Sequence, residues 1–199
     1  MSTVPAAPVV AVLAGGKGER IGGNKPTVEL NGRPLISYPL QAARDAGLET
    51  VVIAKPDVRL PPLDETVVFD LDPRRHPLAG VVTALQRHDR VIALACDMPF
   101  VAPALLRWIA EQTSETVVTR PGTFMQPFPA LYTRRHLRNL QIALASERSL
   151  QETLDRLRPQ VVGDQALRAF GSQVRLFFSV NTPGDLATAE TWLSQSVAP

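Results

Sequence analysis

The sequence predicts a three-layer α/β protein, a mostly parallel sheet with helices on both faces. Three observations point there. Short runs of β-branched and other apolar residues recur along the chain, among them PVVAVLA at 8–14 and RVIALAC at 90–96. They are apolar throughout instead of alternating, which marks strands buried on both faces. Segments of helical periodicity separate most of them, as parallel crossovers require.

Taken in order, the first strand is 8–14, and it leads into the glycine-rich stretch VLAGGKGERIGGNKP at 12–26. Helical spacing of apolar residues follows over 35–46. Strands are expected at 50–54 (TVVIA) and 66–69 (TVVF), with prolines 56, 61, 62, 73 and 77 marking an irregular segment around them. A helix at 78–87, a strand at 90–96 and a helix at 103–112 come next. Strands at 115–119 and 128–133 precede helices at 134–145 and 149–157. A strand at 175–180 (RLFFSV) and a helix at 183–194 close the chain. That helix has a plain start signal: Thr182 as N-cap, Pro183 at the first helical position and Asp185 three residues after the cap. No repeat or linker interrupts the pattern, so 1–199 is read as a single Rossmann-like domain.

Composition narrows the function. Apolar residues make up 45% of the chain, charged residues 20%, and the formal net charge is +2. The charges are interspersed, which argues against a nucleic-acid-coating surface. Of 21 basic residues only Lys17, Lys25 and Lys55 are lysines. The single cysteine, Cys96, permits no internal disulfide and suggests a reducing compartment. The opening MSTVPAAP lacks a positive, then apolar, leader, and no apolar run approaches the roughly 18 residues of a membrane span. A soluble cytoplasmic protein, bound to no membrane, is expected.

Ligands of such folds bind at the carboxyl ends of the strands, where the first glycine-rich loop lies. Glycines there let backbone N–H groups converge on an anion, and nearby Arg and Lys add charge. The phosphate loop G-x-x-x-x-G-K-[ST] is not matched, since Asn24 follows Gly23 and Pro26 follows Lys25. The dinucleotide pattern G-x-G-x-x-G starts at Gly16 and Gly18 but meets Ile21 where the third glycine belongs. What remains is a longer cradle, with Arg20 and Lys25 able to flank a whole triphosphate.

LAGGKGERIGGNK at 13–25 resembles the signature of the molybdenum cofactor guanylyltransferases, the MobA family, whose pattern is approximately L-A-G-G-x-S-x-R-M-G-x-D-K. The chain departs from it at Gly18, Ile21 and Asn24, and its Lys25-Pro26 pair is more like sugar-phosphate nucleotidyltransferases. The resemblance implies a nucleotide-diphospho-sugar transferase-like fold and the transfer of GMP from GTP to the terminal phosphate of molybdopterin or Mo-molybdopterin. It implies Mg²⁺ as cofactor, with other cofactor-biosynthesis proteins and molybdoenzymes as candidate partners. A cytidylyltransferase for the same cofactor, or another small nucleotidyltransferase, is the alternative, although the cytidylyltransferases tend to read L-A-A-G where this chain has Leu13-Ala14-Gly15-Gly16. A non-catalytic nucleotide-binding adaptor of the same fold is the reading from another class; it predicts loss of Arg20, Lys25 and Asp97, all of which are present.

The other motifs follow the same family. In ALACDMPFV at 93–101, Asp97 leaves an apolar strand, where an unpaired carboxylate is costly. It is either a turn aspartate or a ligand for Mg²⁺, a hard ion that bridges carboxylates and phosphates; its likeness to the family's metal-binding segment favours the second. Asp70 matches the family's nucleotide-contacting aspartate, with Asp72 as rival, and Ala54 stands where the family often carries Asn. PLAG at 77–80 resembles its turn into a helix beside the base, with His76 where Gly is usual. Arg74, Arg75 and His76 either meet an anionic cosubstrate or form a solvated turn. Asn181, in VNTPGDL, either contacts the second substrate or only fixes the turn. The expected assignments are therefore Leu13, Ala14, Gly15, Gly16, Lys25, Asp70 and Asp97 for the nucleotide, Arg20, Lys25 and Asp97 for catalysis, Asp97 for the metal and Asn181 for the acceptor.

Overall fold

A computed structural model describes residues 6–16 and 18–195. Lys17 and most of the N-terminal stretch expected to lack a leader lie outside the described residues. The strands are β1 (Val9–Ala14), β2 (Glu29–Leu30), β3 (Arg33–Pro34), β4 (Thr50–Ala54), β5 (Thr66–Phe69), β6 (Arg90–Ala95), β7 (Thr116–Arg120), β8 (Gln126–Thr133) and β9 (Gln160–Gly163). The helices are α1 (Ser37–Asp45), α2 (Pro77–Leu85), α3 (Pro103–Glu111), α4 (Leu137–Ala145), α5 (Leu150–Arg156), α6 (Asp164–Leu167), α7 (Gln173–Leu176) and α8 (Pro183–Gln195). Seven strands form one sheet in the order β5-β4-β1-β6-β8-β7-β9, with β2 and β3 as a separate ribbon. Only β8 runs antiparallel to its neighbours in the large sheet, so the mostly parallel expectation holds.

The period of two along each strand builds the three layers. Val10, Val12 and Ala14 of β1 join Val52, Ile92 and Leu94 in a core with Leu40 of α1 and Leu105, Leu106 and Ile109 of α3. Val9 and Ala11 face the other way, with Ile53 and Ala93, onto Leu78 and Leu85 of α2 and Leu140 of α4. Full burial of each large aliphatic side chain contributes about 1.5–3 kcal/mol, which is why strands and helices with these apolar faces settle on each other. Helices α2, α3 and α8 begin with Pro77, Pro103 and Pro183, whose missing N–H is no loss in a first turn.

The start of α8 is capped as expected. Asp185 Oδ2 accepts from the Asn181 and Thr182 amides at 2.9 and 2.8 Å, and Thr182 Oγ1 accepts from the Asp185 amide at 3.2 Å. The Asn181 amide is the main influence holding the Asp185 carboxyl below its usual range.

Several elements, the short helices α6 and α7 among them, differ from the expected order. The strand expected at 175–180 is absent: Arg175 and Leu176 end α7, and the next residues pack through their side chains. Phe178 packs its ring at a tilt against Phe100 and Trp192, and Val180 donates one backbone bond to Asp97 O at 2.9 Å. The apolar run there serves a third core cluster under α8 instead of a ladder. The β9 strand went unforeseen because it is four residues long with Val161 exposed. The β2–β3 ribbon is closed by Asn31-Gly32 with φ of 49° and 72°, and that dipeptide was its one sequence signal. No described helix is long and apolar enough to cross a membrane.

Candidate active site

The strand order places β1 between β4 and β6, the point where the crossovers diverge and a crevice opens at the strand ends. A cavity of about 600 Å³ lies there, within the usual range for a bound small molecule. Gly15, Gly16, Gly18 and Arg20 after β1, Lys55 after β4, Asp70 after β5, Asp97 after β6 and Asn181 before α8 all line it. Residues spread over most of the sequence thus meet at one rim.

The loop after β1 is held by its own backbone. The Ile21 and Gly23 amides both donate to Gly18 O, at 2.9 and 2.8 Å. Gly18 has φ of 65°, and a Cβ there would sit 2.7 Å from Lys25 Cγ and 3.0 Å from Lys25 N. Glycine is therefore required for two independent reasons, left-handed backbone and close approach. The departure at Gly18 from the family's serine belongs to this local packing. Gly18→Ala is expected to displace Lys25 and to lower turnover by up to ~10²-fold, the usual cost of about 1 Å of misplacement. Steady-state rates and a thermal melt would separate that effect from unfolding. Asn24, another departure, has φ of 50°, accepts from the Arg59 amide through Oδ1 at 2.9 Å and donates to Thr27 Oγ1 at 2.5 Å. It fastens the end of the loop to the segment after β4.

Lys25 is the junction. Its Nζ donates to Asp97 Oδ2 and to Asn181 Oδ1, both at 2.6 Å. The Lys25 and Asp97 side chains are 14% and 13% exposed, so the pair is largely desolvated yet opens on the cavity. Asp97 Oδ1 has no protein partner among the described residues. Asn181 is itself steadied by Nδ2 donating to Ser179 O at 3.2 Å. The three expected residues Lys25, Asp97 and Asn181 are therefore brought together.

Asp70 also lines the cavity, but it is 4% exposed and heavily engaged. Its Oδ2 is 2.8 Å from Lys55 Nζ, and its Oδ1 accepts from the Asp72 amide and Thr83 Oγ1, both at 3.1 Å. Lys55 Nζ donates as well to Asp72 O. The rival, Asp72, does not line the cavity: its Oδ1 and Oδ2 hold Arg74 at 2.8 and 2.5 Å, and the Arg74 bonds push its carboxyl down to about 2. Lys55 is the residue sequence reasoning missed. Its signal was a lone lysine at the exit of a buried strand, beside an aspartate at the exit of the next.

The remaining expected residues divide. Leu13 lines the cavity, whereas Ala14 is fully buried in the core on the α1 side and presents no side chain to it. Gly80 lets α2 approach Leu13, since a Cβ there would stand 3.0 Å from Leu13 Cδ2. Arg20 is exposed on the cavity rim. Arg75 donates to Gly15 O at 3.1 Å and pairs with Asp57, so it spans from the α2 approach to the loop. His76 caps α2: its Nδ1 accepts from the Leu78 amide at 3.1 Å, and burial lowers its pKa, which favours the neutral ring this bond needs. Burial and then Asp97 push the Cys96 thiol well up, so it is no nucleophile.

Among the described residues no cluster of three or more His, Cys, Asp or Glu could hold a metal by itself. One carboxylate with a spare oxygen on a cavity suits Mg²⁺, which is commonly bound by one or two carboxylates together with substrate phosphates. The donor set fits a metal that arrives with the nucleotide.

Several known proteins are similar to this chain. The family described as the MobA-like NTP transferase domain matches residues 10–162. A molybdenum cofactor guanylyltransferase of Pseudomonas entomophila is 36% identical over 164 residues, which cover 77% of this chain and 85% of that one. A probable molybdenum cofactor guanylyltransferase of Pelotomaculum thermopropionicum is 29% identical over 190 residues, 93% of each chain. The crystal structure of molybdopterin-guanine dinucleotide biosynthesis protein A from Archaeoglobus fulgidus superposes with a TM-score of 0.80 at 27% identity, over 94% of this chain and 99% of that one. A 2-C-methyl-D-erythritol 4-phosphate cytidylyltransferase from Thermus thermophilus shares the fold, with a TM-score of 0.66 at 21% identity over 94% and 98% of the chains. The family match over residues 10–162 and the relative at 36% identity show the family: the chain belongs to the MobA-like NTP transferases.

Proposed function

We infer that this protein is a molybdenum cofactor guanylyltransferase, moving GMP from GTP to the terminal phosphate of molybdopterin or Mo-molybdopterin and releasing pyrophosphate. The observation that carries the reading is the junction at Lys25, which joins the glycine loop, Asp97 and Asn181 at the mouth of one cavity. In the reaction an oxygen of the acceptor phosphate forms a bond to the α-phosphorus of GTP. The bond from that phosphorus to its β-bridging oxygen breaks, and its electron pair leaves with pyrophosphate. No general base is needed, because the acceptor phosphate is already ionised near neutral pH.

Repulsion between two anions and their orientation are then the main obstacles, so positioning and fixed charge supply the catalysis. The Gly15 and Gly16 amides receive the phosphates. Lys25 and the exposed Arg20 neutralise charge that shifts toward the leaving group. Asp97 is the residue that would hold Mg²⁺, while its Oδ2 fixes Lys25. Mg²⁺, when bound, offsets phosphate charge and polarises the α-phosphate. Leu13 borders the nucleotide while Ala14, buried beneath it, offers only its backbone; Asp70 reaches the base end, and Asn181 orients the acceptor side.

Calorimetric titration with Mg²⁺ present tests the donor. GTP is expected to bind markedly more tightly than CTP; tight CTP binding without GTP binding would defeat the reading.

A further inference from the structure

We propose that Lys55 reads the base of the donor nucleotide, giving its free N–H to the 6-oxo group of guanine. This deepens the guanylyl reading and rests on it. The sheet order sets the stage. Lys55 and Asp70 follow β4 and β5 on one side of β1, while Asp97 follows β6 on the other. With strands about 4.8 Å apart, the ends of β4 and β6 are separated by about the span between a nucleotide's base and its reacting phosphate. The glycine loop lies between them. On the Lys55 side the cavity walls are Leu13, Ile53 and Gly80, an apolar slot suited to a flat ring.

Donor accounting identifies what Lys55 lacks. An ammonium has three N–H groups. Asp72 O takes one as a hydrogen bond and Asp70 Oδ2 pairs with the ammonium at 2.8 Å, which leaves at least one N–H without a protein partner among the described residues. The side chain is only 7% exposed, so an unmade hydrogen bond there is expensive. The ion pair with Asp70 cancels its charge, so Lys55 offers direction more than net charge. That suits a neutral base better than a polyphosphate, for which Lys25 and Arg20 are already placed.

Asp70 sharpens the match. Two hydrogen bonds reach its Oδ1 and the Lys55 ammonium pairs with its Oδ2, which leaves acceptor room on the carboxylate. Together the pair presents a donor beside an acceptor, complementary to the 6-oxo group and N1–H of guanine. Adenine offers those functions in the opposite order. The lysine therefore supplies a polar contact that Ala54, next to it, cannot.

The test compares GTP with 2-aminopurine riboside triphosphate, which lacks the 6-oxo group, by calorimetry on the wild type and on Lys55→Met. Wild-type protein is expected to favour GTP by about 10–100-fold, the range for a hydrogen bond to a charged group. Lys55→Met should weaken GTP binding but not analogue binding, shrinking that preference to a few-fold. If the variant weakens both equally, Lys55 touches ribose or phosphate, or only holds Asp70, and the proposal is overturned. Should Lys55→Met fail to fold, equal wild-type affinity for the two nucleotides overturns it just as well. Wild-type preference for CTP defeats the guanylyl reading itself, whereas preference for GTP with unchanged discrimination in Lys55→Met defeats only the role of Lys55.

Discussion

Lys25→Met lowers guanylyl transfer by roughly 10²–10³-fold, the loss expected when one strong transition-state contact is removed. Methionine keeps most of the aliphatic stem that passes Gly18 and removes the ammonium, so the deficit reports charge and not packing. Two partners lose their donor at once, Asp97 Oδ2 and Asn181 Oδ1. The loss is expected mainly in kcat, because the charge matters most as negative charge builds on the leaving pyrophosphate. Nucleotide affinity should fall less. A variant with normal kcat and poor GTP binding would move Lys25 from catalysis to simple binding. Single-turnover rates at saturating nucleotide separate the two.

Asp97→Asn is expected to cost as much, ~10²–10³-fold, and to raise the Mg²⁺ concentration needed for half-maximal rate. The amide is close to isosteric, and the bond from the Val180 amide goes to the Asp97 backbone oxygen, so the strand end keeps its shape. The substituted side chain would still present an oxygen, but without the charge that holds both Lys25 and a hard cation. The two residues act as one unit. The double variant Lys25→Met, Asp97→Asn should therefore be much less impaired than the product of the single effects. Multiplicative losses would mean that the two side chains act separately.

Much of this site is readable from the letters alone, for definite physical reasons. Apolar runs without alternation revealed the parallel sheet, and a parallel sheet fixes where ligands bind. Gly15, Gly16 and Asp97 stand at strand exits, where a charged or backbone-rich residue has little other use, and Lys25 lies at the far end of the loop that follows β1. Local signals also served for Thr182 and Asp185, whose cap forms as its spacing predicts. Long-range partnership was less legible. Nothing in Asn181 announces that it will share Lys25 with Asp97, since 156 residues separate it from the lysine.

The pairing of Lys55 with Asp70 was hidden for a similar reason, although Asp70 itself was expected. Each stands at the end of its own strand, and only the parallel pairing of β4 with β5 brings them together. The run at 175–180 misled in another way. Its apolar residues are buried, but by the α8 cluster and one backbone bond rather than by a neighbouring strand. Burial and β-structure look alike in a short apolar segment.

Guanylyl transfer by this chain is tested most directly by pyrophosphate release from purified protein mixed with Mg²⁺, molybdopterin and a single nucleoside triphosphate. Release is expected with GTP in an amount equal to the dinucleotide formed, with little from CTP or ATP and none without molybdopterin. Release driven by CTP, or no release with any of the three, would contradict it.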